Sequence, residues 1–367
     1  MARPTDVKIK ILNVGVSGTD REIWEFKYGT PPPGSEYLIT GHESFGQVVE
    51  VGKAVASVKV GDYVVPTVRR GCPENCQACA LMRQDFCYTG HFTERGITGA
   101  HGYMTEFVVD DEKYMNPVPP ELKDCAVLLE PLTIAEKALM QVYTIQSRLP
   151  WECRLEKAGA NPGCRSAIVL GAGPVGLLGA MALRLLNMEV HVVARDTAPN
   201  TKADFARLIG AQYRATARET PSQIAASLGS VDLIFEATGA AKASFDFLQV
   251  LGTNGIFIFT GVPAPMNDIT LDAGALMRDI VLQNQVVLGT VNAPKAAFEN
   301  GIRDLAEFQK KWPGALSSLI TGRLPLDRFR ETIKRINPEE IKTILQMSSS
   351  PAVVGGEPWI PDRGIRG

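Results

Sequence analysis

A histidine and two carboxylates in the first part of the chain have the side chains needed for a metal site. His42 and Glu43 stand together in "GHESFG", and Glu130 lies beside a proline in the otherwise apolar stretch "LLEPLT". Imidazole and carboxylate both bind zinc, and a carboxylate in apolar surroundings usually has a partner. Taken singly, His42 also fits a core histidine bonded to a backbone carbonyl, and Glu130 fits an acid that caps a helix. The three residues by themselves leave both interpretations open.

Four cysteines are spaced for a second, closed metal site. They follow one another with three, two and seven residues between them, at Cys72, Cys76, Cys79 and Cys87. The chain has seven cysteines, an odd number, and in a reducing compartment such crowding favours metal binding over disulfides. Four thiolates leave no open position on a zinc ion, so the predicted zinc is structural and braces its loop. The alternative is a group of reduced surface cysteines.

A glycine-rich segment predicts a dinucleotide site. "GAGPVG" follows the apolar run "AIVL" and precedes a helical pattern. In this context Gly171 permits a tight turn, Gly173 lets the backbone approach a pyrophosphate, and Gly176 lets helix and strand pack closely. The free N–H groups of the helix N-terminus would face the anion. The alternative is a glycine-rich turn without a ligand.

The residues after the next predicted strand bear on the choice of cofactor. NAD-specific folds place an acid there for the ribose 2′-hydroxyl, whereas this chain has Arg195 followed by Asp196 in "VVARDT". A guanidinium at this point suits a 2′-phosphate, which favours NADP over NAD. The alternative is a solvated Arg195 with Asp196 bonded to the ribose.

The elements that must position these residues fall into two groups. The first ~140 residues alternate short β-rich runs with Gly, Pro and charged turns, which predicts a mainly antiparallel barrel or sheet. From "EKALMQVYTI" onward strands alternate with helices, a pattern typical of a doubly wound parallel sheet. Two amphipathic helices then precede "IKTILQM", which we expect to return to the first domain. The predicted division is a catalytic domain of residues 1–145 and 294–347, a dinucleotide-binding domain of residues 146–293, and a loose tail of residues 348–367.

Composition restricts the function classes. A chain of 367 residues with 45% hydrophobic content can form two domains of ordinary size. Its 38 basic and 40 acidic residues give a net charge of −2, which provides no long-range field for nucleic acid or an anionic membrane. We find no apolar run of the roughly 20 residues that span a bilayer, and no secretory signal. We therefore expect a cytoplasmic protein with a small-molecule partner.

Several of these segments occur in the same order in one known family. With "GVSGTDREI", "GHE", the four cysteines, "LLEPLTIAEKA", "GAGPVGLLG" and "GTVNA", the chain resembles the zinc-dependent medium-chain dehydrogenases, and within them the glucose 1-dehydrogenases. The resemblance implies an α/β protein in which a GroES-like, mainly-β catalytic domain is joined to a Rossmann domain. It also implies oxidation of an aldose C1 hydroxyl to the lactone, with hydride passing to NAD(P). A homodimer or homotetramer formed through the edge strand "QVVLGTVN" is expected by analogy.

The resemblance also assigns individual residues. It implies a catalytic zinc held by Ser17, His42, Glu43 and Glu130, with Thr19 as the hydroxyl that relays the substrate proton. Glu94 and Asn292 match positions that hold sugar hydroxyls, and Glu130 serves sugar and metal alternately. Besides the three glycines and Arg195, the predicted cofactor contacts are Pro174, Val175, Thr238, Thr260, Val262 and Val291.

The chain departs from the family pattern most clearly at Ser17, where most relatives have a zinc-binding cysteine. A serine hydroxyl is neutral at pH 7 and removes one anionic ligand from the shell. Three interpretations follow: a natural branch that binds zinc without the thiolate, an introduced replacement that disables the site, or loss of metal and activity. We favour a retained but weakened site. The family pattern also has two residues between the first cysteines and about 20 more residues of N-terminal strand.

Two other functions remain as alternatives to an aldose dehydrogenase. One is a related polyol or secondary-alcohol dehydrogenase. The other is a catalytically inactive NADP(H)-binding protein that kept the Rossmann site and lost its chemistry through Ser17.

Overall fold

The computed structural model describes residues 3–150, 165–263, 268–334 and 337–347, so the predicted loose tail at residues 348–367 lies outside the described residues. In these ranges the strands form three sheets. The strands are β1 (Asp6–Gly15), β2 (Glu43–Val51), β3 (Tyr63–Pro66), β4 (Arg69–Arg70), β5 (Thr93–Arg95), β6 (Gly99–Ala100), β7 (Phe107–Asp111), β8 (Met115–Val118), β9 (Ser166–Leu170), β10 (Glu189–Ala194), β11 (Gln212–Ala215), β12 (Leu233–Glu236), β13 (Ile256–Phe259), β14 (Val286–Gly289), β15 (Ile320–Pro325) and β16 (Lys342–Gln346). The α-helices are α1 (Gly18–Trp24), α2 (Gln77–Ala80), α3 (Leu129–Gln146), α4 (Pro174–Leu185), α5 (Thr201–Leu208), α6 (Pro221–Ala226), α7 (Ala241–Leu248), α8 (Ala273–Leu282), α9 (Lys295–Lys311), α10 (Ala315–Leu319) and α11 (Phe329–Lys334).

The first sheet is mainly antiparallel, as predicted. Its order is β15-β16-β1-β2-β3-β8, with β7 also paired to β1. Val7, Ile9 and Ile11 alternate along β1 and are fully buried, because successive side chains of a strand point to opposite faces. The last apolar run forms β16, which pairs antiparallel with β1.

The second sheet is parallel and has the order β11-β10-β9-β12-β13-β14. Numbered along the chain, this is the 3-2-1-4-5-6 order of a doubly wound dinucleotide-binding fold, so the predicted α/β class is confirmed. Every residue of β9 is buried, because helices cover both faces of the sheet. The strand order reverses between β9 and β12, and ligands bind outside the carboxyl ends of the strands at such a point. The six strands lie within the range predicted for the dinucleotide-binding domain.

Helix α3 lies between the two halves of the chain. It packs against α4, α9 and β2, and its apolar residues belong to a core cluster that also contains residues of both large sheets. Glu130 stands in its first turn and Lys137 two turns later. In the part of the chain that the structure describes, no helix is both long and apolar enough to cross a bilayer.

A small sheet supports the loop that carries the four cysteines. It has the order β4-β5-β6, and the register of β4 and β5 sets Arg69 opposite Glu94. The loop between β4 and β5 contains α2 and a single 3₁₀ turn at Gln84–Phe86. We refer to residues 72–87 as the cysteine lobe.

Candidate active site

The predicted metal-binding histidine and carboxylates converge. One ligand atom from each of His42, Glu43 and Glu130 lies within 4.8 Å of the others, and all three residues are buried. His42 and Glu43 stand where the chain enters β2, and Glu130 stands at the start of α3. The Nδ1 atom of His42 is buried and has no hydrogen-bond partner among the described residues. A buried imidazole and two buried carboxylates facing one another fit a zinc ion.

Asp20 supports this cluster and was not identified from the sequence. It is fully buried, its Oδ1 accepts a hydrogen bond of 3.1 Å from the Gly41 amide, and the same oxygen lies 3.8 Å from His42 Nδ1. A carboxylate beside a metal-binding histidine orients the ring and raises its basicity. The available signal was its place three residues after Ser17, a spacing typical of a capping box.

Ser17 begins α1 as its N-cap. Its Oγ accepts from the Asp20 amide at 3.2 Å and donates to Asp20 Oδ2 at 3.0 Å, and the Ser17 amide donates to the same oxygen at 2.8 Å. Ser17 therefore shares Asp20 with His42. Its predicted role as a zinc ligand stays a prediction, as does the proton relay assigned to Thr19, which lies half-buried in the first turn of α1.

Glu43 has a buried cationic partner in Lys342. The Nζ atom of Lys342 forms an ion pair with Glu43 Oε2 and donates to the Val16 carbonyl at 3.0 Å. Gly15 leaves room for this pair, because a Cβ atom there would lie 2.1 Å from Glu43 Oε2. Lys342 comes from β16, far away in sequence, and sequence reasoning missed it.

The surroundings shift the acidity of two groups in the cluster. Burial raises the pKa of Glu130 to about 7, against the opposing effect of His42. Burial also acts to lower the pKa of His42, but the carboxylates of Asp20, Glu130 and Glu43 outweigh it and raise that pKa above its ordinary value. The pKa of Glu130 and the pKa of His42 thus each depend on the charges of neighbouring side chains. The site is compact and holds several carboxylates.

The cysteine lobe brings its four sulfurs together. They lie within 4.8 Å of one another, three of the cysteines are buried, and Cys76 Sγ is 3.9 Å from Cys87 Sγ. Sulfurs about 2.3 Å from one zinc in a tetrahedron are about 3.8 Å apart. Burial acts to raise the pKa of Cys87, but hydrogen bonds from Thr89 and Gly90 lower it to about 6. The set fits a structural zinc, and its convergence does not match the alternative of separate surface thiols.

The two residues predicted to hold sugar hydroxyls are in contact. Asn292 Nδ2 donates a hydrogen bond of 2.9 Å to Glu94 Oε1, and Arg69 Nε donates to the same oxygen at 3.0 Å. Glu94 is buried on β5, whereas Asn292 follows β14 in the parallel sheet. The contact therefore joins residues 198 positions apart.

The glycine motif forms the predicted turn between β9 and α4. Gly171 has φ +107°, a left-handed value that favours glycine, and a Cβ atom on Gly176 would lie 1.9 Å from the Gly171 carbonyl oxygen. A Cβ atom on Gly173 would meet nothing within 4 Å. Pro174 and Val175 open α4, whose N-terminus faces this space. The turn thus forms an open cradle that fits a pyrophosphate.

Glu236 braces the ends of β12 and β13 and is a second residue that sequence reasoning missed. Its Oε1 accepts from the Thr238 amide at 2.6 Å and from the Gly239 amide at 2.8 Å, and its Oε2 accepts from the Gly261 amide at 3.1 Å. Its carbonyl accepts from Thr260 Oγ1 at 2.6 Å. One buried residue therefore holds both predicted cofactor-lining threonines at the edge where the strand order reverses.

Three other predicted cofactor contacts are exposed. The Arg195 side chain is 89% exposed just beyond β10, with its Nε 3.4 Å from Asp196 Oδ1. Val262 is 73% and Val291 50% exposed, beyond the ends of β13 and β14. Exposed apolar side chains at this edge are available to line a ligand.

A GroES-like barrel joined to a doubly wound sheet, with a His–Glu–Glu cluster and a four-cysteine lobe, defines a zinc-dependent medium-chain dehydrogenase. Residues 3–120 match the model of the alcohol dehydrogenase GroES-like domain, and residues 123–347 match that of the glucose dehydrogenase C-terminus. The chain therefore belongs to the glucose dehydrogenase family, as the sequence motifs predict.

Individual relatives agree over nearly the whole chain. A glucose 1-dehydrogenase of Methanocella arvoryzae is 38% identical over 94% of this chain and 92% of its own, and one of Caldivirga maquilingensis is 41% identical over 93% and 91%. The Haloferax mediterranei glucose dehydrogenase in complex with NADP, zinc and gluconolactone is 32% identical, with a TM-score of 0.84 over 95% of this chain and 94% of its own. The predicted class of reaction, NAD(P)-dependent oxidation of a CH–OH group, is confirmed.

Proposed function

We propose that this protein oxidises the C1 hydroxyl of a glucose-like aldose to the lactone and passes the hydride to NADP. The observation that carries the proposal is the hydrogen bond from Asn292 to Glu94. An amide next to a carboxylate offers a donor and acceptors side by side, which suits neighbouring hydroxyls of a sugar. The Haloferax relative with gluconolactone supports the same substrate class, because this lactone is the product of glucose oxidation at C1.

The residues of the His–Glu–Glu cluster would hold the catalytic metal. Zinc bound by His42, Glu43 and Glu130 supplies a Lewis acid that lowers the pKa of the substrate hydroxyl. The charge of Asp20 makes His42 more basic, and Lys342 holds Glu43 from the other side. These residues set the shape and charge of the site before the sugar enters.

The sugar is oriented and deprotonated by other side chains. Glu94 and Asn292 receive its hydroxyls, and Thr19 Oγ1 takes the proton of the reacting hydroxyl onward to solvent. Glu130 contacts sugar and metal alternately. Because Arg69 is bonded to Glu94, the carboxylate keeps a fixed orientation toward the substrate.

The dinucleotide lies along the edge of the parallel sheet. The cradle of Gly171, Gly173 and Gly176 receives the pyrophosphate, and Arg195 receives the 2′-phosphate that distinguishes NADP from NAD. Its nicotinamide accepts the hydride. The exposed guanidinium of Arg195 and the NADP bound to the Haloferax relative support this choice.

A panel of alcohols tests the proposal. Glucose, galactose, xylose, sorbitol and threonine are supplied with NADP or NAD, each with and without added zinc. We expect sugar-dependent NADPH formation. Turnover of sorbitol or threonine without any aldose would instead indicate a polyol or secondary-alcohol dehydrogenase. NADPH binding without turnover of any alcohol would indicate the inactive NADP(H)-binding protein. The observation that favours this alternative is the hydrogen bond from the Ser17 hydroxyl to Asp20.

The proposal includes a homodimer or homotetramer formed through the edge of the parallel sheet. β14 is the last strand of that sheet, and apolar side chains of the neighbouring α8 are largely exposed, with Met277 at 68% and Val281 at 67%. An unpaired strand edge beside an exposed apolar face suits association with a second copy. Light scattering at micromolar concentration tests it, and a monomeric mass would contradict it. A cytoplasmic location is supported by the four cysteines of the lobe, which form no disulfide with one another.

A further inference from the structure

A closed ring of polar contacts joins the cysteine lobe to the proposed sugar-binding residues. The ring starts and ends at Asp85, whose side chain is fully buried inside the lobe. Its two arms leave from the carboxylate and from the backbone carbonyl of the same residue. We call it the Asp85 ring, and its members are Asp85, Lys137, Val291, Asn292, Glu94 and Arg69.

The first arm passes through α3. Asp85 Oδ2 lies 3.0 Å from Lys137 Nζ, and both side chains are almost completely buried. The same ammonium group donates a hydrogen bond of 2.8 Å to the Val291 carbonyl. One turn later on α3, Gln141 donates to Thr290 Oγ1 at 2.7 Å. Helix α3 therefore holds the segment that leads into Asn292.

The second arm passes through β4 and β5. Arg69 Nη1 donates to the Asp85 carbonyl at 3.4 Å, and its Nε donates to Glu94 Oε1 at 3.0 Å. The Phe92 ring covers the guanidinium, with 3.7 Å between its centroid and Cζ. The hydrogen bond from Asn292 to Glu94 then closes the ring.

The ring fixes a segment with an uncommon backbone conformation. Asn292 has φ +60°, a left-handed conformation that asparagine adopts more readily than most residues other than glycine, and the hydrogen bonds of Val291 and Asn292 hold it there. Val291, just before it, is half exposed, and its carbonyl is fixed by a buried cation. Lys137 in turn is kept in place by Asp85, because a buried ammonium requires a counter-charge.

We propose that Asp85 and Lys137 are positioning residues for the sugar site: together they hold the Val291 carbonyl so that Asn292 meets Glu94 in the geometry that binds the substrate. The cysteine lobe thereby determines the affinity for sugar through a residue that binds no metal. This inference rests on the proposed role of Glu94 and Asn292 in sugar binding.

Three variants separate positioning from simple stabilisation. Asp85→Asn leaves Lys137 buried without its counter-charge, Lys137→Met leaves Asp85 paired with the partly exposed Arg83 alone, and the double variant removes both buried charges. Removing one partner of a buried pair is strongly destabilising, whereas replacing both is often close to neutral. The double variant should therefore recover much of the melting temperature lost in the single variants, but it still lacks the donor to Val291.

Two measurements follow the site independently of turnover. The first is the Kd of glucose for the enzyme–NADPH complex by calorimetry, which we expect to rise about tenfold in the single and double variants. The second is hydrogen exchange of peptides covering residues 289–293, which we expect to quicken in all three. Asp232→Asn is the matched control, since its buried carboxylate accepts hydrogen bonds from the Arg165 and Ser166 amides at the other end of the parallel sheet, and the change should lower the melting temperature while Kd and this exchange stay at wild-type values.

Each result decides between the two roles. In the double variant, the glucose Kd and the exchange rate could recover along with the melting temperature. That result would show that Asp85 and Lys137 only stabilise the fold, and it would overturn the proposal. Single variants that bind glucose as tightly as the wild type would overturn it too. If the wild type itself binds no aldose, the proposed function fails. The hydrogen-exchange data then test by themselves whether Asp85 and Lys137 position residues 289–293. Quicker exchange at residues 289–293 then supports it, and unchanged exchange overturns it.

Discussion

The carboxylate of Asp20 lies between Ser17 and His42: one oxygen accepts from the Ser17 hydroxyl at 3.0 Å, and the other is 3.8 Å from His42 Nδ1. The residue that replaces the expected thiolate is thus connected to the predicted zinc ligand through a single acid. A change at either Ser17 or Asp20 alters both the start of α1 and the metal site.

Asp20→Asn should weaken zinc binding at the His42 site by about 10- to 100-fold, because it removes the negative charge that lies 3.8 Å from His42 Nδ1 and makes the imidazole more basic. Competition with a chelator measures the affinity. The cysteine lobe provides an internal reference, since its zinc should be retained equally in both proteins. Unchanged affinity at the His42 site would show that Asp20 serves only the helix cap.

Ser17→Cys should raise the tightly bound zinc from about one to about two per chain and increase kcat, because a thiolate supplies the missing anionic ligand. The same change removes the N-cap of α1, which costs about 1 kcal/mol of stability. Zinc content by mass spectrometry, kcat and the melting temperature are measured together.

Ser17→Ala is the matched control for that experiment. It loses the same cap without offering a ligand, so it should be equally destabilised and gain no zinc. If the serine protein already holds two tightly bound zinc ions and turns over sugar as fast as the cysteine variant, the thiolate was never needed at this site.

Arg195→Ala should raise KM for NADP about tenfold and leave KM for NAD nearly unchanged, because only the 2′-phosphate makes a charge-assisted contact there. Arg207→Ala controls for the loss of one exposed positive charge, since Arg207 pairs with Asp204 on α5. Equal effects of Arg195→Ala on both cofactors would show that this guanidinium is solvated.

A buried acid of α3 that lies near an acid of α9 predicts a pH-dependent stability. Burial, followed by the charge of Asp304, raises the pKa of Glu136 well above its ordinary value, against the opposing effect of Arg303. A folded-state pKa above the unfolded one contributes stability at low pH, and this contribution is lost as pH rises through the folded pKa.

Glu136→Gln removes that titration and should therefore raise the melting temperature by about 2–4 °C at pH 8, with a smaller gain as the pH falls toward 5. Thermal melts across this range measure the difference from the wild type. Glu299→Gln, at an exposed position of α9, should show no such trend. A gain independent of pH would mean that Glu136 does not titrate in the folded protein.

The features predicted from sequence have local signals. Four cysteines within one loop, and glycines between a strand and a helix, are both visible as spacings. The side chains of these motifs act together because they are close neighbours along the chain.

The residues that were missed act across long sequence separations. Lys342 contacts Val16 over 326 positions, and Lys137 contacts Val291 over 154. The sequence around Lys342 does not indicate which carboxylate will pair with this lysine, because the pairing depends on the order and register of the strands in the sheet. Glu236 was missed for a similar reason, since its amide donors belong to two different strand ends. The short helix α10 was also missed.

The position of β16 has a consequence for how the molecule assembles. During synthesis all six strands of the parallel sheet leave the ribosome before residues 342–346, so the glycine cradle can form while the first sheet still lacks the strand that pairs with β1. Until then Glu43 has no Lys342 beside it. We therefore expect the glycine cradle of a nascent chain to form before Lys342 takes its place beside Glu43.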